Sequence, residues 1–186
     1  MRKYLFVCFL SGVMPAIFSA HLMAQTSFGP EFQLYPTGIM PGVRMEFGLT
    51  GHDAINLRVG ANLFDHRSMG VHDSEKGMGF GGTLGYRHYV KDLLNGFFVG
   101  GRMDVWRNKV NWEDYQQMRS GTTRIVVLQP TAEFGYMFLS DRLSNRWKWG
   151  LAPALGLGYE INAVSDGADV GEGAIILLGV SVVYRW

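Results

Sequence analysis

Residues 147–163 read "WKWGLAPALGLGYEINA", and their size and polarity alternate with a period of two. Odd positions hold Trp147, Trp149, Leu151, Pro153, Leu155, Leu157, Tyr159 and Ile161; even positions hold Lys148, Gly150, Ala152, Ala154, Gly156, Gly158, Glu160 and Asn162. Successive side chains of a β-strand point to opposite faces, whereas a helix repeats every ~3.6 residues and would scatter this pattern. The segment is therefore a strand with one bulky apolar face and one small or polar face. Which of the two meets solvent decides the fold.

A soluble barrel turns its apolar face inward and shows a polar face to water. A membrane barrel reverses this, with apolar side chains toward lipid. Water-facing strands favour Lys, Glu and Thr, and a row of Gly and Ala fits that role poorly. The lumen of a narrow barrel, in contrast, has room for small side chains and a few paired charges. It has no room for Trp, Leu and Tyr from every strand. The membrane orientation is the one that fits.

The same alternation recurs from Phe28 onward and predicts strands near 28–36, 38–49, 54–67, 78–90, 97–112, 122–138, 147–163 and 174–186. Eight is an even number, as a single-chain bacterial barrel requires. The fold class expected is all-β: an eight-stranded antiparallel up-and-down transmembrane β-barrel. Connections at 50–53, 91–96 and 139–146 are short or moderate, while those at 68–77, 113–121 and 164–173 are longer and more polar. Short periplasmic turns and longer outer loops produce such a pattern. The first strand is the weak member, because "FGPEFQLYP" contains Pro30 and is followed closely by "PTG"; an arm or plug is its alternative. Pro41, Pro130 and Pro153 also fall within strands, where each removes a ladder hydrogen bond and calls for a bulge.

Ahead of the barrel, Arg2 and Lys3 precede an apolar run from Tyr4 to about Phe18, with small-residue cleavage plausible after Ala24. These are the parts of a secretory signal peptide, expected over 1–24, with the outer-membrane barrel domain over 25–186. Cys8 is the one cysteine, so the exported part would hold no disulfide and rely on its core or a membrane. Its formal charge would be about −1, which gives no reason to expect nucleic acid as a partner.

The register points Arg44, Arg58, Arg87 and Arg102 inward, together with Glu46, Asp104, Glu133 and Glu160. Unpaired buried charges are costly, whereas a mutually bonded set is tolerable. The balance predicts a closed, salt-bridged interior serving a structural role; a proton or ion path lined by the same groups is the alternative.

The last segment, "IILLGVSVVYRW", alternates again, with Val182, Tyr184 and Trp186 on the apolar face. Soluble domains tend to fray into polar residues at this position. Here a final strand is expected to close against the first. It resembles the C-terminal signal of outer-membrane proteins, which implies recognition by the barrel-assembly machinery. Together with the glycine-rich inner face, the chain resembles the small eight-stranded outer-membrane barrels of the OmpA/OmpX-like group. The stretches "LGYRHY" (84–89) and "LGLGYEIN" (155–162) look like those of barrels from the Bacteroidota. The resemblance implies the outer membrane of a Gram-negative bacterium, with membrane lipids and lipopolysaccharide as neighbours. It speaks to architecture far more than to activity.

Candidate chemistry is sparse. Outer-membrane deacylases carry a His and a Ser two residues apart on one strand; here His88 is followed at that spacing by Val90, so His88 reads as interfacial. Asp65, His66, His72, Asp73 and Glu75 have metal-ligand types without tight spacing, and Asp166, Asp169 and Glu172 lack the calcium-loop pattern. Both groups read as solvated loops, and no cofactor or metal is expected. The glycines of "GMGFGGTLG" lead into no helix and offer no phosphate cradle. Trp112 and Tyr115 suit either a protein contact on an outer loop or an aromatic girdle. The expected function is thus a non-enzymatic envelope barrel for integrity, surface interaction or assembly into a larger complex. A lipid-modifying enzyme and a narrow solute passage are the alternatives.

Overall fold

A computed structural model describes residues 25–68, 70–140 and 148–185. The expected signal segment at 1–24 lies outside the described residues, as do Trp147 and Trp186. Eight strands follow one another: β1 (Thr26–Tyr35), β2 (Gly38–Gly48), β3 (Asp53–Arg67), β4 (Ser74–Tyr89), β5 (Gly96–Asp114), β6 (Arg119–Leu139), β7 (Lys148–Asp166) and β8 (Gly173–Arg185). Each pairs with its neighbours in chain order, and β8 returns to β1, giving a closed antiparallel up-and-down barrel. The first segment is a wall strand and not an arm. It pairs with β2 from Thr26↔Phe47 to Tyr35↔Gly38 and with β8 from Ser27↔Arg185 to Leu34↔Leu178. The end carrying Thr26 and Arg185 is called the terminal end below, and the opposite one the distal end.

The two faces divide as the alternation demands. Phe32 (53 % exposed), Val59 (62 %) and Phe80 (66 %) point outward, while Glu31, Arg44 and Arg87 are buried within. A soluble protein seldom buries charge while exposing its bulkiest apolar groups on every strand. Trp149 and Tyr184 pack together on the outside near the terminal end, and Tyr136 and Phe138 do the same one strand away.

The prolines enter the wall with less distortion than expected. Pro30 stays in register with Val43 of β2, but the β1–β8 ladder skips Gly29 and Pro30. Pro41 pairs with Phe32, but the β2–β3 ladder skips it. Pro130 opposes Met103 while its β7 ladder is interrupted, and Pro153 opposes Val180 while its β6 ladder is interrupted. A strand residue directs its backbone N–H to one neighbour only, so a proline breaks the ladder on one side and leaves the other whole. The one register shift falls between Val126 and Val127, where β7 carries Ala163 as an extra residue; no proline causes it.

The distal connections are shorter than the sequence suggested. Residues 74–77, 113–114, 119–121 and 164–166 lie in strands, so the wall of β4 to β7 extends into the expected loops. Period-two alternation marks a strand only where one face is apolar, and it vanishes where both faces are polar. β1 has ten residues and β6 has twenty-one, so the rim is low at β1 and β2 and high at β5 and β6. About ten residues suffice for a tilted strand to cross a bilayer.

Candidate functional site

The interior is filled in three layers. Its middle is ionic, built from the guanidiniums of Arg44, Arg58, Arg87 and Arg102 and the carboxylates of Glu31, Glu46, Asp104 and Glu133, all buried. Arg87 grips Glu133 with two bonds, Nε–Oε1 at 2.7 Å and Nη2–Oε2 at 3.3 Å, and reaches Glu46 Oε2 through Nη1 at 3.1 Å. The Tyr89 hydroxyl donates to the other Glu46 oxygen at 2.7 Å. Such forked guanidinium–carboxylate contacts are among the stronger polar interactions available to a protein.

Glu31 is the second hub. Arg44 Nε lies 2.7 Å from its Oε2, a close ion pair rather than an aligned hydrogen bond. Arg58 Nε lies 3.3 Å from Oε1, and Gln33 and Ser181 donate to the same carboxylate at 2.6 and 2.8 Å. Arg102 joins the hubs, with Nε 3.1 Å from Asp104 Oδ2 and Nη2 donating to Gln33 at 2.9 Å. Thr83 donates to Asp104, and Arg58 donates to the Met40 carbonyl at 2.5 Å. Among the described residues, the side-chain amides of Asn56 and Gln129 in this region have no hydrogen-bond partner.

Seven of the inward charges read from the sequence meet in this layer. Glu160 does not. It sits toward the distal rim among Tyr35, Asn62 and His66, and among the described residues it makes no ion pair with the lumen arginines. The residue that completes the layer is Glu31, which sequence reasoning missed. Its signal was present: Ser27, Gly29, Glu31 and Gln33 form the small or polar face of "SFGPEFQLY". Pro30 obscured it by casting doubt on the strand.

Apolar clusters cap the ionic layer at both ends, where only small groups and charges were expected. At the distal end Met40, Phe64, Trp106, Val110, Ile125, Val127, Val170, Ile175 and Leu177 pack together. At the terminal end Ala54, Tyr89, Leu93, Leu94, Phe98, Met137, Ala152 and Val183 do the same. Leu93 and Leu94 come from the 90–95 turn, which folds into the barrel mouth with Leu94 at φ 57°. Arg58 lies 5.4 Å from the Trp106 ring centre and Arg87 4.1 Å from that of Phe98, so each cap also faces a cation. Glycines make the room: a Cβ at Gly81 would come within 2.5 Å of the Trp106 ring, and one at Gly135 within 2.5 Å of the Phe98 ring.

Two distal loops close over the outer cap. Glu75 lies beyond the apolar belt, which on β4 ends at Met78, and its carboxylate gathers both loops. It accepts from the backbone N–H of Val71 (2.9 Å) and His72 (3.1 Å) in one loop, and of Gly171 (3.1 Å) in the other. Burial disfavours its ionised form, but the His66 ring, with Nδ1 3.8 Å away, and hydrogen bonds from the His72, Gly171 and Val71 amides outweigh this and hold its carboxyl below the ordinary value. His72 stacks on Trp112 with ring centres 4.2 Å apart, and its nitrogens lie 3.0 Å from Asp114 Oδ1 and 3.0 Å from the Asp169 carbonyl. The loop "SDGADVGEG" thus lies across the mouth with Val170 turned into the core. Trp112 points inward and donates to Thr123 at 3.2 Å, so it serves neither as outer contact nor as girdle. Tyr115 is exposed. His88 faces outward near the terminal end, with Nδ1 2.8 Å from Asp53. Among the described residues no three His, Cys, Asp or Glu side chains converge as a metal site.

Neither a family model nor a curated protein matches the sequence. Among solved structures, the chain is similar to Ail, the attachment invasion locus protein of Yersinia pestis, with a TM-score of 0.50, 9% identity and coverage of 86% of this chain and 96% of that one. It is also similar to the N-terminal β-barrel domain of Pseudomonas aeruginosa OprF (TM-score 0.46, 12% identity, covering 86% and 97%). Neisserial surface protein A is a third such structure (TM-score 0.40, 10% identity, covering 87% and 93%). These are small outer-membrane barrels. At such identities the likeness concerns the fold.

Proposed function

We propose that this chain is an integral outer-membrane barrel with a sealed interior, acting in envelope integrity or surface contact and not as an enzyme or a channel. The observation that carries this reading is the pairing of an apolar outer wall on every strand with an interior packed by matched charges between two apolar caps. An ion crossing the lumen would have to part the Arg87–Glu133 fork and both caps. A buried charge left without its partner costs several kcal/mol.

Placing both termini on the periplasmic side sets the tall β5–β6 wall and the Glu75-bound loops outside the cell. Export would use the signal segment at 1–24, and Val182, Tyr184 and Trp186 would present the last strand to the assembly machinery. The catalytic alternative has little support: His88 has a carboxylate partner in Asp53 but is followed by Val90 where the deacylase pattern calls for serine.

Membrane fractionation with gel migration before and after boiling tests the location and the barrel together. The protein is expected in the outer-membrane fraction, with a folded form that migrates differently once boiled. Planar-bilayer recordings test the seal, and a steady selective conductance would overturn it. Altered lipid A acyl chains in a deletion strain would overturn the non-enzymatic reading.

A further inference from the structure

Two histidines meet on the outside of the barrel at its terminal end. His52 stands in the turn between β2 and β3, and His88 lies near the end of β4, opposite Asp53 in register. Both are exposed, and their rings stack with centres 5.9 Å apart and planes inclined by 29°. Each ring is anchored through one nitrogen. His52 Nδ1 lies 3.0 Å from the Tyr89 carbonyl oxygen, and His88 Nδ1 lies 2.8 Å from Asp53 Oδ1. Carbonyl and carboxylate oxygens accept hydrogen bonds and do not donate them, so each Nδ1 carries a proton. In the neutral imidazole the lone pair then sits on Nε2. Among the described residues neither Nε2 has a partner.

The groups that hold the rings are themselves held. The Tyr89 N–H donates to the His52 carbonyl at 2.7 Å, and the His52 N–H donates to the Thr50 hydroxyl at 3.2 Å. Asp53 also accepts from the Tyr86 hydroxyl and, at 2.6 Å, from that of Thr50. Its carboxylate is thus occupied as a support for His88. The other described histidines are placed differently. His72 turns both nitrogens to oxygen acceptors, and His66 lies against Glu75.

We propose that His52 and His88 form a two-imidazole site, through Nε2 of each ring, for a divalent transition-metal ion of the copper(II), nickel(II) or zinc(II) class. Metal–imidazole bonds of about 2.0–2.1 Å place each ring centre roughly 3.2 Å from the ion, so two rings sharing an ion have centres up to about 6.4 Å apart. The observed 5.9 Å falls within that span. An oxygen acceptor on the far nitrogen is the usual support of a metal-binding histidine, because it fixes the tautomer and raises the basicity of the ligating atom. Imidazole ligands favour these ions, whereas magnesium and calcium prefer oxygen. The remaining coordination positions face solvent and would take water. Sequence reading expected no metal, since only the β3–β4 ladder brings the two side chains together. The site goes beyond the envelope role proposed above and requires neither a sealed lumen nor a membrane.

The test uses the full barrel, refolded in detergent and carrying no histidine tag. Copper(II) is titrated by calorimetry, and the bound ion is read by electron paramagnetic resonance. One tightly held ion per chain is expected, with nitrogen splittings from two imidazoles. H52Q and H88Q should each weaken binding at least about tenfold, a difference of roughly 1.4 kcal/mol, while H66Q should leave it unchanged. Because both side chains are exposed, each variant should still shift on boiling. Excess magnesium(II) should not displace the copper. If a variant does not fold, the nitrogen count in the wild-type spectrum decides. Splitting from a single nitrogen, unchanged affinity in folded H52Q or H88Q, or displacement by magnesium(II) would overturn the proposal.

Discussion

At the residue scale, the interior depends on partners more than on individual charges. Glu133→Ala leaves the buried Arg87 guanidinium without its fork, and a loss of about 3–5 kcal/mol is expected in denaturant unfolding followed by tryptophan fluorescence. Removing all three members together, as R87M/E46Q/E133M, should cost less than Glu133→Ala alone, because neither the guanidinium nor the Glu46 carboxylate it reaches is left as an orphaned charge. Arg67→Ala on the exposed rim should stay within about 0.5 kcal/mol of wild type. Glu75 makes a pH-dependent prediction. Its carboxyl is held below its ordinary value of 4.5, so its contribution to the loop cap is complete above that value and fades as pH falls through the lowered one. The protection factors of the Gly171 and His72 amides, taken against the intrinsic exchange rate at each pH, should therefore fall on acidification. Glu75→Gln should exchange quickly at neutral pH as well, and unchanged protection there would remove Glu75 from its place as the fastener. Seven of the eight charges in the ionic layer were legible in sequence because alternation assigns a face to each position; Glu31 was not, because Pro30 cast doubt on its strand. The Glu75 and His72 contacts were not, since they join 68–73 to 167–172, nearly a hundred residues apart, and no local pattern encodes that meeting.

At the element scale, closure rests on β1 meeting β8. That seam is the shortest in the wall, with six paired positions and its ladder interrupted at Gly29 and Pro30. A side chain at Gly29 would strike the Val182 carbonyl of β8, a backbone atom that cannot turn aside. Gly29→Val should therefore abolish the compact unboiled gel form, whereas Phe28→Val, one residue away but facing out, should preserve it. A Gly29→Val protein that still shifted on boiling would show that the seam tolerates wider spacing. All eight strands were readable from the sequence, and their ends within the apolar belt were placed closely. The misjudged ends are those of β4 to β7 beyond the belt, where both faces are polar and pairing alone holds the strand. The prolines misled in another way. Each suggested a bulge, yet losing one N–H on one side interrupts a single ladder without shifting register, and the single shift arises at Ala163 for a reason the sequence does not display.

At the scale of the whole molecule, the sealed-barrel reading proposed above has three layers in series resisting passage by different physics. The two caps are lined by apolar side chains, which would disfavour water, and the middle layer holds ions already matched to one another. Barriers in series are redundant, so opening one should not open the path. Trp106→Ala empties much of the distal cap but leaves the ionic layer and the terminal cap in place. L93A/L94A thins the terminal cap and leaves the other two layers. Neither variant is expected to raise planar-bilayer conductance above that of the parent, although Trp106→Ala should lose about 3–5 kcal/mol of stability through the cavity it leaves. Combining W106A with L93A/L94A should still give a quiet bilayer if the guanidinium–carboxylate layer seals by itself. Adding Glu133→Ala to that combination should then produce open events, because Arg87 would be held by Glu46 alone between two thinned caps. A steady open level in the Trp106→Ala protein alone would show that a single gate had closed the barrel. The ionic layer would then be read as the lining of a gated path.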